Sequence, residues 1–155
     1  LSQVAGEHTL LGRFFCVVSK YISSEEKSRT ARRTLEAIFQ DGSELLSRSI
    51  NMSLQVEQQP PALPTLLVRL LTSVPPNIPS TGPTDFIQVA EYKLTVHFVD
   101  HRCLILGNPE VKGSSSGCSL WTTEEPPKGP PLCCRFLFFL MCGYSKPIHN
   151  YFNTC

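Results

Sequence analysis

Residues 86–106 read FIQVAEYKLTVHFVDHRCLIL, and this stretch decides the fold class. Tyr92, Leu94, Val96 and Phe98 alternate with Lys93, Thr95, His97 and Val99. A period of two belongs to an extended chain with one apolar face, because successive side chains leave a strand on opposite sides. Asp100-His101-Arg102 is short and polar enough to reverse the chain, so 103–106 returns as a partner strand. The spacing predicts strand, turn and strand, the start of an antiparallel sheet.

Upstream, Ile50, Met52, Leu54 and Val56 alternate with Asn51, Ser53, Gln55 and Glu57, which predicts another strand with its even-numbered residues buried. The intervening segments carry helical spacing. Leu10, Leu11, Phe14, Phe15, Val18 and Ile22 form one face over 8–22. Over 24–40, Ser23 and Glu26 make a capping box, and Ala31, Leu35, Ile38 and Phe39 make an apolar stripe. Glu25 with Arg29 and Arg32 with Glu36 sit at the favourable i,i+4 spacing, and Gly42 is the stop. Leu63, Leu66, Leu67, Leu70, Leu71 and Val74 repeat the helical pattern before Pro75-Pro76 and a proline-punctuated loop to Thr84. The expected class is therefore α+β: a small, mainly antiparallel sheet covered by two or three helices.

Downstream, the character changes at Gly107. Residues 108–155 hold Pro and Cys pairs, the run Gly-Ser-Ser-Ser-Gly over 113–117, and five of the seven cysteines. The expectation is an α+β domain over 1–107 and an irregular Pro/Ser/Cys-rich tail over 108–155 outside its core. The initial Leu1 reads as the start of a piece of a longer protein. An odd cysteine count does not close a disulfide framework, and Cys16 and Cys103 lie in apolar periodic segments. That predicts an intracellular setting, cytoplasmic or nuclear. Residues 132–142 are apolar apart from Arg135, but a bilayer needs about 20 residues of helix.

The net charge is +1, and the cations and anions of residues 1–106 balance, which argues against a dedicated nucleic-acid domain. Lys27, Arg29, Arg32 and Arg33 form one local basic patch on the expected helix face. They suit phosphate, or pair with Glu25 and Glu36 as a solvated face. His97, Asp100, His101 and Cys103 are the cluster closest to a metal site. Strand residues i and i+4 stand about 13 Å apart, too far for one tetrahedral ion without a sharp turn. No nucleophile elbow, zinc-protease motif or phosphate loop occurs, and Glu25-Glu26 and Glu124-Glu125 are adjacent pairs rather than a catalytic couple. Cys133-Cys134-Arg135 lacks zinc spacing but suits acylation, or a short apolar peptide that docks in a partner groove.

These readings lead to a non-enzymatic interaction or scaffold module of an intracellular multiprotein complex, with protein partners and no cofactor, metal or catalytic residue. One alternative is a nucleic-acid-associated subunit using the face over 27–33. Another is a fragment of an enzyme whose catalytic residues lie outside this chain.

Overall fold

Val, Ile, Thr and aromatic side chains suit a pleated surface, and they extend the chain here far more than its helical spacings suggest. The computed structural model describes residues 2–6, 14–41, 43–58, 60–73, 86–108, 117–123 and 130–143. Its elements are β1 (Ser2–Gly6), β2 (Phe14–Glu25), β3 (Thr30–Asp41), β4 (Glu44–Glu57) and β5 (Thr65–Ser73), then β6 (Phe86–Val99), β7 (Cys103–Gly107), β8 (Cys118–Thr122) and α1 (Leu132–Cys142). Each strand pairs antiparallel with the next. β1 spans the seam, pairing with β8 from Ser2↔Thr122 to Gly6↔Ser119 and with β2 at Ser2↔Val18. The sheet thus curls into a closed barrel, and closure removes the exposed edges that an open sheet would present.

The α+β expectation is therefore corrected. The three expected helices are strands where they are described. In β5, Leu66, Leu67 and Val68 are buried on both faces of the sheet. A continuous apolar run of this kind has no period that distinguishes strand from helix. The expected capping box is instead the β2–β3 turn, where the Arg29 amide donates to Glu26 O at 3.1 Å. The expected ion pairs are not made: Glu36 bonds Lys20 across β2 and β3 at 2.7 Å, and Arg32 stacks 5.1 Å from the Phe86 ring centroid.

The strands read from alternation are present. β6 spans 86–99, and the turn to β7 is fixed by Asp100, whose amide donates to Cys103 O at 2.9 Å. Its Oδ1 accepts from the amides of Arg102 and Cys103, both at 2.7 Å. Two details differ. A register shift between Val96 and Phe98 turns Phe98 away from the face of Leu94. In β4, Met52 is buried and Leu54 half-buried, but Ile50 and Val56 are exposed because they lie beyond the packed middle of the strand.

The expected tail is also corrected. β8 and α1 lie within 108–155 and belong to the core. Leu104 and Leu106 of β7 point into the barrel, whereas Cys103 and Ile105 point outward beneath α1. There they pack with Leu120, Cys134, Phe138 and Cys142. Two disulfides, Cys103–Cys134 and Cys118–Cys142, bolt α1 to the outside of β7 and β8. Such bridges form and persist in oxidising compartments, which overturns the expected reducing, intracellular setting. Among the described residues Cys133 is a free, exposed thiol, and no helix is long and apolar enough to cross a membrane. Residues 8–13, Gly42, the loop over 75–84, the linker over 113–116 and Glu124-Glu125 lie outside the described residues.

Candidate functional site

Alternation along seven strands points every second side chain into the barrel, and those side chains leave a cavity of about 230 Å³. β4 and β5 supply Met52, Leu54, Leu66, Val68 and Leu70. β6 and β7 add Tyr92, Leu94, Leu104 and Leu106, and β8 adds Trp121. Trp121 Nε1 donates to Ser119 Oγ at 3.0 Å, which spares the indole N–H from being unpaired beside an apolar space. The described lining residues include no Asp and no Glu.

Among the described lining residues the one charge is Arg33, which follows from the pleat of β3. Arg33 and Leu35 are two residues apart and share the inward face, while Arg32 and Glu36 point outward. Arg33 Nε donates to Ser19 Oγ at 2.7 Å, and Nη2 donates to Ser19 O at 2.8 Å. Ser19 itself is buried on β2. These bonds fix the plane of the guanidinium on the barrel wall. Burial pulls the Arg33 pKa below its ordinary value, an effect opposed by the nearby Tyr21. The group is still a cation at neutral pH. No carboxylate among the described residues forms an ion pair with it.

Above this chamber lies a wider mouth of about 500 Å³, lined by Ser24, Glu25, Glu26, Arg29, Thr30, Ala31 and Val56. Arg33, Leu54 and Leu66 line both spaces, so Arg33 stands where the mouth meets the apolar chamber. At the mouth Ser28 Oγ donates to Glu25 Oε2 at 2.7 Å. The arrangement can accept a molecule with an apolar body in the chamber and a polar group at Arg33.

The basic patch is not a helix face. Lys27 and Arg29 lie on the β2–β3 turn, Arg32 points outward from β3, and Arg33 points inward. Nor do the metal candidates converge. The His97 ring packs against Gly107, where a Cβ would collide with it, and His101 is exposed on the turn. Asp100 lies near Cys103 and Cys134, but those two sulfurs are bonded to each other and offer no thiolate. The amides of Cys103 and Arg102 already hold the Asp100 carboxylate below its usual pKa range. The cavity itself escaped the sequence reading, because a helical reading of 24–40 separates Arg33 from the apolar stripe. Reading 31–37 as a strand places Arg33 beside Leu35.

A family model described as tick histamine binding protein matches residues 77–155. No curated protein and no solved structure matches the chain. The family match runs across the expected boundary at Gly107 and, together with the disulfides, overturns the reading as a scaffold module of an intracellular complex.

Proposed function

This chain belongs to the tick histamine binding protein family, and on that premise we propose that it binds a small organic molecule inside its barrel. We infer further that the ligand is largely apolar and carries an anionic group, such as the carboxylate of a fatty acid. The observation that carries this reading is Arg33, a partly desolvated cation at the entrance of a chamber whose described lining is otherwise mainly apolar and holds no carboxylate. The guanidinium is half-buried and its hydrogen bonds to Ser19 leave its charge without an ion-pair partner among the described residues, and a ligand carboxylate would supply one through charge-assisted hydrogen bonds. A protonated amine seated in the chamber would meet a like charge at Arg33, and the described chamber lining offers it no carboxylate. The protein's role in this proposal is capture rather than catalysis, in an extracellular, disulfide-permissive setting.

A second reading has one specific support. Glu25 and Glu26 line the mouth, so a small amine of the kind named in the family description would find carboxylates there rather than in the chamber. Trp121 separates the two readings, because it is the sole tryptophan and it lines the chamber. Titration with a long-chain fatty acid is expected to change its emission saturably, and histamine is expected to leave it unchanged. Arg33→Gln is expected to weaken the fatty acid about ten- to a hundredfold, the worth of a hydrogen bond to a charged group. Saturable binding of histamine with none of the fatty acid would reject the anionic reading.

A further inference from the structure

α1 is apolar on both of its faces. Its inner face, Cys134, Phe138 and Cys142, is buried against β7 and β8. Its outer face carries Leu132 at 80% exposure, Phe136 at 63%, Phe139 at 55% and Leu140 at 61%, with Met141 alongside. Leu132, Phe136, Phe139 and Leu140 are spaced as one helical face, so they form a contiguous patch rather than scattered residues. A helix that is hydrophobic all round is normally covered, and no described residue covers this one.

The charges around the patch select among possible occupants. α1 has a single charged residue, Arg135, which is exposed, and it has no acidic residue. Arg102 lies at the N-terminal end of the helix, where its Nη2 reaches Cys133 Sγ at 3.6 Å. A second copy docked here would bring Arg135 into the interface with no carboxylate on the opposing α1 to pair with it. Lipid phosphates supply that counter-charge, while the aromatic and aliphatic side chains enter the acyl boundary. We propose that the outer face of α1 is a docking surface for an anionic lipid bilayer. The protein lies on the membrane without spanning it, with α1 bolted to the barrel by its two disulfides.

This inference is independent of the barrel's ligand. The topology does, however, place the start of α1 at the same end of the barrel as the mouth. The β6–β7 turn next to Cys134 and the β2–β3 turn that lines the mouth are alternate turns of one meander, and alternate turns share an end.

The test is flotation of the purified, oxidised chain with phosphatidylcholine vesicles, with and without phosphatidylserine. The expected result is co-flotation that is stronger with phosphatidylserine. Phe136→Ser combined with Phe139→Ser is expected to lower the vesicle affinity roughly tenfold or more, since two ring systems lose their burial. Arg135→Glu is expected to remove the preference for phosphatidylserine. Both positions are exposed, so intact disulfides and an unchanged melting temperature will certify the fold of each variant. Failure of the unaltered chain to float with either vesicle would overturn the proposal. So would equal flotation of the double serine variant. Sedimentation velocity completes the test: a monomer is expected, and a dimer abolished by the same two substitutions would make the occupant a second copy instead.

Discussion

Removing the Cys103–Cys134 bridge by the paired change Cys103→Ala and Cys134→Ala tests whether α1 is part of the fold. The two bridges cross in sequence, since Cys118 lies inside the loop closed by Cys103 and Cys134, and Cys142 lies outside it. Cys103 and Cys134 are 31 residues apart, but the Cys118–Cys142 bridge gives the unfolded chain a shorter route between them, roughly two dozen residues. In the chain-entropy account a loop of that size contributes about 3.5 kcal/mol. For a chain of this length that is a fall in melting temperature of about 7–14 °C. Alanine also leaves small voids beside Ile105 and Phe138, so the estimate is a lower one. Scanning calorimetry without reductant is the assay, with the unaltered protein as reference. A shift of less than about 2 °C, with the melt still cooperative, would show that the bridge closes nothing the barrel depends on, and the placement of α1 would be wrong.

Three further outcomes are expected. Met52→Lys puts an ammonium into the apolar chamber and should abolish cooperative urea unfolding, whereas Ser53→Lys, on the opposite face of β4, should shift the midpoint little; equal effects would mean the register is wrong. Asp100 has a folded pKa below its unfolded one, so its contribution is present above the unfolded value of about 3.9 and is lost as pH falls through the lower folded value. Asp100→Asn should therefore flatten the loss of stability in acid, and melting curves that remain parallel to the parent across that range would contradict the turn. Arg33→Leu should leave the melting temperature nearly unchanged while weakening the anionic ligand, because it removes a half-buried charge with no ion-pair partner among the described residues; a large loss of stability would show that the Ser19 contacts are structural.

Legibility in the sequence followed the number of faces each segment buries. β4 and β6 each have a wetter outer face, so polar and apolar residues alternate and the strand is visible. β5 is covered on both sides, and β3 happens to place Ala31, Leu35 and Ile38 at helical intervals, so the same letters satisfy two periods. A barrel depends on closure, a long-range property with no local signature, and β1 makes the final pairing from the far end of the chain. The cysteines of the last third were visible, but connectivity does not follow from spacing, so the fastening of α1 was unreadable. The charge of Arg33 is visible in the sequence, while its inward direction depends on β3 being a strand.

Recognition of an anion by Arg33 at the entrance of the apolar chamber is decided by calorimetric titration with a fatty acid and its methyl ester. The two share an apolar chain and differ in charge. The acid is expected to bind at least about tenfold tighter than the ester, and Arg33→Leu is expected to erase the difference. Equal affinities in the unaltered protein, or a preference for the acid that survives Arg33→Leu, would contradict it.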